Sequence, residues 1–185
     1  CLPDKGYLEL LEAVSIIRKK GKKVHLTMLT AIHSSSISSE FSNLLKNRIR
    51  ELNLDHNVFI NLDYIPIEDI LDELSMSDIV IYPYQQSNEA SSAAVRNGIS
   101  SLTNVLVSPL PIFNDVLDHV DVLPGCTAKD IASWLCDNYS RLINSRNDID
   151  ENLEKKLSWK KELSFTNLGF RFQNMIRSLE LNNNS

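Results

Sequence analysis

The sequence is poor in glycine and cysteine, and these shortages exclude several classes of site. Its five glycines lie too far apart to form a GxGxxG dinucleotide-binding turn or a Walker A phosphate loop. No GxSxG motif marks the nucleophile of a serine hydrolase. Cys1, Cys126 and Cys136 show neither CxxC nor metal-ligand spacing. An odd, unpatterned set of cysteines is typical of a reducing, cytoplasmic environment.

Long apolar runs and an excess of positive charge are also missing. No run approaches the roughly 20 residues that a membrane-spanning helix needs. The net charge of −5 argues against a nucleic-acid partner, because nucleic-acid binding requires a basic surface. The length of 185 residues and the 43% hydrophobic content are ordinary for one globular domain.

The sequence predicts no metal site and no cofactor. None of the four histidines is followed by a potential metal ligand three or four residues later, so each is interpreted as structural or surface-exposed. The stretch DID, Asp148 to Asp150, has the form of a metal–diphosphate motif. Its place in a polar connector after a predicted helix, rather than at the end of a strand, argues against that role.

The pattern that is present alternates apolar strands with amphipathic helices. The predicted strands are Lys23–Ile32, Asn57–Pro66, Asp78–Tyr84, Asn104–Pro109 and Val120–Gly125. Helical periodicity starts near Tyr7, before the first strand, and recurs in the connections between strands. A Ser-rich turn is predicted at residues 33–39, and a helix after the last strand is predicted from Ala128 to Ile143. This order predicts an α/β fold with a doubly wound, Rossmann-like parallel sheet. Residues 149–185 are predicted to be a helical tail of the same domain.

One stretch, SNEASSAAVRNG from Ser87 to Gly98, predicts an anion site. It follows the fully apolar strand, so its helix should begin at the carboxyl edge of the sheet, with Asn88 as the N-cap. Ser91, Ser92 and Ala93 are small enough for a phosphate to reach the helix amides. Glu89 has two interpretations, which stay open: an acceptor for sugar hydroxyls, or an acid favoured by the helix dipole.

These segments resemble the donor-binding domain of retaining GT-B glycosyltransferases of glycosyltransferase family 4. The stretch PDKGYLELLEA, Pro3 to Ala13, is similar to the start of that domain, where Lys-Gly precedes an amphipathic helix. NEASSAAVRNGISSLTNVLVSPLPIF, Asn88 to Phe113, resembles the family's E-x7-E segment and the strand after it. VFINLDYIPIEDILDELSMSDIVIYP, Val58 to Pro83, resembles the intervening strands and base-contacting loop. The resemblance implies one half of a GT-B fold.

The resemblance also implies a role for each matched residue. Lys5 would bind the donor diphosphate and stabilise the departing nucleotide, and Glu89 would hold hydroxyls of the transferred sugar. The amides of Ser91 to Ala93 would cradle phosphate. Backbone atoms near Tyr64 and Ile65 would contact the nucleobase. Stabilising a leaving diphosphate by fixed charges needs no bound metal.

The sequence departs from the family pattern at two places. Asn97 stands where the family has its second Glu, which puts the ribose contact in doubt. Arg96 lies seven residues after Glu89, so the two are predicted to share a helix face. Arg96 either approaches the diphosphate or forms a structural ion pair, and the structural role is favoured. The family's arginine and the first strand of the sheet are expected before Cys1, so that residues 1–148 form the domain without its first strand.

The resemblance implies the donor-binding half of an enzyme that transfers a hexose or N-acetylhexosamine from a nucleotide sugar, UDP more than GDP. A missing N-terminal domain would bind a glycan or lipid-linked acceptor. The implied setting is cytoplasmic, with peripheral contact at the inner membrane face, in bacterial surface polysaccharide synthesis such as O-antigen, capsule or lipopolysaccharide. The isolated chain is expected to be inactive. Two alternatives stay open: half of a sugar-nucleotide 2-epimerase, and a non-catalytic nucleotide-sugar-binding domain.

Overall fold

The protein is described by a computed structural model that covers residues 1–32, 35–144, 153–162 and 164–183. The chain forms two compact units, Cys1–Asp148 and Ile149–Ser185. The strands of the first unit are β1 (Leu26–Leu29), β2 (Val58–Asn61), β3 (Val80–Tyr82), β4 (Val105–Val107) and β5 (Asp121–Val122). Its α-helices are α1 (Tyr7–Lys19), α2 (Ser36–Glu51), α3 (Ile67–Ser75), α4 (Ala93–Ser100), α5 (Ala128–Asp137) and α6 (Tyr139–Asn144). Two 3-10 segments, Pro3–Lys5 and Pro111–His119, complete this unit.

Every strand pairing in the described residues is parallel, which confirms the predicted α/β class. β1 pairs with β2, with Leu26 opposite Val58. β4 lies between β3 and β5, with Val80 opposite Val105. The strands therefore form two groups, β1–β2 and β3–β4–β5, and no ladder joins β1 to β3.

Helix α1 packs against both strand groups. One cluster of buried residues joins α1 to β4 and α5: Leu10, Ala13, Ile17, Leu106, Leu123, Ile131, Ala132, Leu135 and Leu142. The other joins α1 to β1 and α2: Cys1, Leu11, Val14, Met28, Phe41, Leu45, Ile49 and Leu54. The apolar positions of α1 thus form one broad stripe, whose two sides cover the two halves of the sheet layer.

Helix α4 covers the opposite face of the sheet layer. In β3, Ile81 packs against the cluster of α1 and α5, whereas the Tyr82 hydroxyl donates to the Ala94 carbonyl in α4 at 2.6 Å. Successive strand residues point to opposite faces. Helices therefore lie on both sides of the parallel strands, as the doubly wound arrangement requires.

The boundaries correct several predictions. The Ser-rich segment predicted as a turn over residues 33–39 includes the first turn of α2, because Ser35 caps the helix by accepting from the Ser38 amide at 3.3 Å. The helix predicted from Ala128 to Ile143 is two helices that divide at Asn138, whose side chain donates to the Trp134 carbonyl. The strands are shorter than predicted, since a ladder extends only as far as its partner runs alongside.

The second unit contains α7 (Leu153–Glu162) and α8 (Phe165–Asn183), so the tail is helical as the pattern predicts. In the described part of the chain, no helix is both long and apolar enough to cross a membrane. Asp148–Asp150, with the DID motif, lies outside the described residues, as does His33.

Candidate functional site

The loop before α1 is fastened to the carboxyl end of β3. The backbone amide of Gln85 donates to the backbone carbonyl of Asp4 at 2.8 Å. Gly6 has a left-handed backbone, with φ of 74°, and a Cβ atom there would meet the Pro83 carbonyl oxygen at 1.8 Å. Only glycine allows both this conformation and this approach. The loop that carries Lys5 therefore has one fixed position at the edge of the sheet.

Lys5 is held beside an aromatic ring at this edge. Its Nζ lies 4.2 Å from the centroid of the Tyr84 ring and 3.3 Å from the Asp4 carboxylate. The Lys5 side chain keeps 19% of its surface exposed, so the charge can still meet a ligand. Tyr84 is itself buried against Phe113, with ring centroids 5.3 Å apart. A cation over an aromatic ring gains about 0.5–2 kcal/mol, which favours one orientation of the ammonium group.

Tyr84 was not among the predicted site residues, although a sequence signal exists for it. It follows β3 and Pro83 directly, at the carboxyl edge where a doubly wound sheet binds its ligands. Gln85 was missed as well. Its side-chain amide donates to the carbonyls of Pro83 and Cys126 at 3.0 and 2.9 Å, which joins the loop after β3 to the loop before α5.

The helix after β3 begins later than predicted. Its N-cap is Ser92, whose side-chain oxygen accepts from the Val95 amide at 3.4 Å, so the prediction of Asn88 as N-cap is wrong. Upstream, the Glu89 amide donates to the Ser87 hydroxyl oxygen at 3.2 Å. This local bond competes with helical hydrogen bonding and leaves residues 85–92 as a loop.

Because α4 starts later than predicted, the groups that an anion could contact there are different. Ser92 is 2% exposed and its hydroxyl oxygen accepts the capping hydrogen bond, so this hydroxyl is not presented to a ligand. Ser91 and Ala93 are exposed at the start of α4. The first amides of an α-helix have no partner within that helix, so those of Ala93 and Ala94 can donate to an anion.

Glu89 lies in the loop rather than in the helix. It is exposed and stands before the cap residue Ser92, so its interpretation as a first-turn acid of the helix is wrong. The predicted shared helix face with Arg96 is wrong for the same reason. Because Glu89 lies in the loop before α4, neither the helix dipole nor a shared helix face with Arg96 explains its position. Its contact with a sugar stays a prediction.

Arg96 makes structural contacts. Its guanidinium donates to the Ser92 carbonyl at 2.7 Å and forms an ion pair with Asp115 of the second 3-10 segment. These contacts agree with the structural role that was favoured. Asn97, the next residue, lines a groove between β1 and β3 together with Lys5 and Ala94.

The predicted base-contacting residues lie in the loop after β2. Tyr64 is 88% exposed, and Ile65 lines a separate pocket of about 280 Å³ beside α3. The structure thus brings Lys5, Ala94 and Asn97 to one groove, and places Tyr64 and Ile65 in a neighbouring loop. No hydrogen bond or ion pair within the described ranges joins Tyr64 or Glu89 to Lys5.

Two partly buried tyrosines position the elements around the site. Burial raises the pKa of Tyr82. The Tyr82 hydroxyl donates to the first turn of α4. Gly98 leaves room for this hydroxyl, because a Cβ atom at Gly98 would lie 2.9 Å from it. Burial also raises the pKa of Tyr7, which donates to Thr30 at 3.0 Å. Both phenols therefore stay protonated at neutral pH and act as fixed hydrogen-bond donors rather than as proton-transfer groups. Across the part of the chain that is described, no three His, Cys, Asp or Glu side chains cluster to hold a metal ion.

Three solved proteins share the fold. The sucrose-phosphate synthase of Thermosynechococcus elongatus matches with a TM-score of 0.71 at 12% identity, over 94% of this chain and 43% of that protein. A glycosyltransferase from Rickettsia africae gives 0.63 at 20% identity, over 88% and 45%. The C-terminal domain of a glycosyl transferase group 1 family protein from Francisella tularensis gives 0.69 at 16% identity, over 89% and 83%.

The chain spans less than half of the first two proteins and most of the isolated C-terminal domain. No protein-family model matches the sequence, and neither does any curated protein. The fold is therefore that of the C-terminal domain of GT-B glycosyltransferases, with parallel strands and C-terminal helices.

Proposed function

We propose that the chain is the nucleotide-sugar-binding half of a retaining glycosyltransferase of glycosyltransferase family 4. The observation that carries the proposal is the position of Lys5. It is fixed by the contact between Gly6 and Pro83 and by the Tyr84 ring, at the groove that Ala94 in the first turn of α4 also lines. An ammonium group that lines the same groove as the first turn of a helix supports the binding of a diphosphate there, because the first helix amides also attract anions.

Different residues bind the diphosphate, the sugar and the nucleobase of the donor. Lys5 and the amides at the start of α4 bind the diphosphate and stabilise the charge that develops as the nucleotide departs. Glu89 accepts hydrogen bonds from hydroxyls of the transferred sugar. Tyr64 and Ile65 contact the nucleobase, with UDP favoured over GDP. No step requires a metal ion, because fixed charges and helix amides take up the negative charge.

The whole enzyme would need an acceptor-binding domain beyond these residues. The proposed reaction transfers a hexose or N-acetylhexosamine, with retention, to a glycan or lipid-linked acceptor in bacterial surface polysaccharide synthesis. The enzyme would work in the cytoplasm, in peripheral contact with the membrane. The isolated chain would bind the donor without turning it over. Efficient sugar transfer by the 185-residue chain alone would contradict this division.

Asn97 supports a second candidate, a non-catalytic nucleotide-sugar-binding domain. The family's carboxylate is replaced at this position by an amide that lines the groove. An amide can bond a ribose hydroxyl but carries no charge. Sugar transfer by a protein that includes the acceptor domain, measured with Asn97 in place and with Asn97→Glu, distinguishes the candidates. A catalytic enzyme turns over with Asn97 in place, whereas a binding domain transfers no sugar.

Calorimetric titration with UDP, GDP and their sugars tests the proposal. Lys5→Ala should weaken all nucleoside diphosphates about 10- to 100-fold, because a charge-assisted hydrogen bond contributes about 1.5–3 kcal/mol. Lys46→Ala, which removes an exposed lysine on α2, is the matched control and should change nothing.

Glu89→Ala distinguishes binding of the sugar from binding of the nucleotide. Loss of the carboxylate should weaken intact sugar nucleotides and leave UDP binding unchanged, because only the sugar donates hydroxyls to it. Asp55→Ala removes an exposed carboxylate from the turn before β2, at the opposite edge of the sheet, and should leave every affinity unchanged. Equal affinities across Lys5, Glu89 and both control variants would refute the assignment.

A further inference from the structure

Gln85 joins three loops at the carboxyl edge of the sheet. It lies in the loop after β3, and its backbone N–H donates to the Asp4 carbonyl, in the loop before α1, at 2.8 Å. Its side-chain amide donates to the Pro83 carbonyl at 3.0 Å and to the Cys126 carbonyl, in the loop before α5, at 2.9 Å. These loops come from distant parts of the sequence, so the three hydrogen bonds set their spacing at this edge.

A primary amide has the chemistry that this position requires. Its nitrogen carries two N–H donors that point in different directions, so one side chain can bond two carbonyl oxygens. An ionised Glu or a Met of similar length has no such donors. Gln85 is half-buried, whereas Gln86, the next residue, is exposed. Two adjacent residues of the same type therefore differ in their surroundings, and Gln86 is a matched control for Gln85.

The hydrogen bond to Pro83 fixes the peptide unit that precedes Tyr84. Because a peptide unit is planar, the direction of the Pro83 carbonyl also sets the direction of the Tyr84 backbone N–H. The Tyr84 ring lies 4.2 Å from the Lys5 Nζ atom. The same Pro83 oxygen is the atom that a Cβ at Gly6 would meet at 1.8 Å. Rotation of this peptide unit would therefore move both the ring and the backbone against which the Lys5 loop packs.

Lys5 is thus held through two routes that both begin at Gln85. One runs through the backbone, since the Asp4 carbonyl that accepts from Gln85 belongs to the peptide unit before Lys5. The other runs through the Pro83 carbonyl to the Tyr84 ring. The bond to Cys126 belongs to neither route. It fastens the Gln85 side chain to a third loop, which keeps the amide from turning away.

We infer that Gln85 is a positioning residue for Lys5, which holds the ammonium group in place without contacting the ligand. The inference rests on the proposed function, in which Lys5 binds the donor diphosphate. A ligand that meets a fixed ammonium group orders fewer protein atoms on binding, so it binds more tightly. The Gln85 side chain therefore raises the affinity for UDP only through Lys5.

A double-mutant cycle measured by calorimetric titration with UDP tests this coupling. Gln85→Met keeps the length of the side chain and removes both donors, and it should weaken UDP binding by about 3- to 10-fold. In a Lys5→Ala background the same substitution should cause no further loss, because the group that it positions is absent. Gln86→Met should leave the affinity unchanged in both backgrounds.

The position of Lys5 can also be read without a nucleotide. The Lys5 Nζ atom lies over the Tyr84 ring, so the ring current should shift the NMR signals of the Lys5 ε-methylene protons upfield of those of exposed lysines such as Lys46. Lys5→Ala assigns these signals by removing them. Gln85→Met should move them toward the exposed lysines, and Gln86→Met should not.

Two further measurements separate positioning from a general loss of structure. Gln85→Asn keeps the amide but is one methylene too short to span both carbonyls, so it should reproduce the effects of Gln85→Met. In the unsubstituted protein, the side-chain amide protons of Gln85 should exchange with water about tenfold or more slowly than those of Gln86. Equal exchange of the two amides would overturn the inference even if neither Gln85 variant folds.

The outcomes distinguish this inference from the proposed function. If Lys5→Ala weakens UDP binding and the Gln85 variants do not, the positioning role fails and the proposed function stands. An equal loss with and without Lys5 would also overturn the positioning role, because Gln85 would then act independently of Lys5. If Lys5→Ala leaves UDP binding unchanged, the proposed function fails, and the NMR signals of Lys5 alone decide whether Gln85 positions the ammonium group.

Discussion

Gly6 offers the sharpest test of how the site is built, because Gly21 is a natural control for it. Both glycines are left-handed, with φ of 74° and 76°. A Cβ at Gly21 would meet nothing within 4 Å, whereas one at Gly6 would lie 1.8 Å from the Pro83 carbonyl oxygen. Ala at either position bears the same backbone strain of about 1–2 kcal/mol. Only Gly6→Ala adds a steric overlap with backbone atoms.

The overlap at Gly6 can be relieved only if the loop moves away from β3. Overpacking in a fixed environment costs about 1–3 kcal/mol, so Gly6→Ala should lower the free energy of unfolding by about 2–5 kcal/mol in total. Gly21→Ala should lower it by about 1–2 kcal/mol. Urea denaturation followed by circular dichroism measures both values on proteins that differ by one methyl group.

The displacement should also reach Lys5, since the loop that moves carries this residue. Gly6→Ala is therefore expected to weaken UDP binding, measured by titration at a temperature where both variants stay folded. Gly21→Ala should leave UDP binding unchanged. Equal losses of stability in the two variants would show that the contact with Pro83 does not hold the loop, and the account of the site would fail.

Three further predictions concern single contacts. Tyr82→Phe removes the hydrogen bond that the tyrosine hydroxyl donates to the part-buried Ala94 carbonyl of α4 and should lower the free energy of unfolding by about 0.5–1.5 kcal/mol in urea denaturation. The hydrogen bonds from Thr127 lower the pKa of Asp130, so their stabilisation is present above the unfolded carboxyl pKa of about 4 and is lost as pH falls through the lowered folded value. The Tm difference between wild type and Thr127→Ala should therefore shrink between pH 7 and pH 3, and a constant difference would contradict this. A double-mutant cycle on Arg96 and Asp115 should give a coupling of about 0–1 kcal/mol, with UDP affinity unchanged by Arg96→Ala, because the pair is half-exposed and structural.

The sequence alone determined the class of the fold. Apolar runs separated by amphipathic helices specify parallel strands, because burial on both faces leaves no polar positions in runs such as the one around Val80. The place of the candidate site followed from the same pattern, since loops after parallel strands gather at one edge. Small residues after β3 marked that edge correctly, although the helix that they begin starts at Ala93 rather than near Asn88.

The tertiary structure alone decided which groups meet. The position of Lys5 depends on the approach of Gly6 to Pro83 and on the ring of Tyr84, contacts between segments that are far apart in sequence. Arg96 pairs with Asp115 for the same reason. Periodicity reports which face of an element is apolar, because that face is a property of neighbouring residues. Contacts across the fold depend on how whole elements pack, which no local pattern specifies.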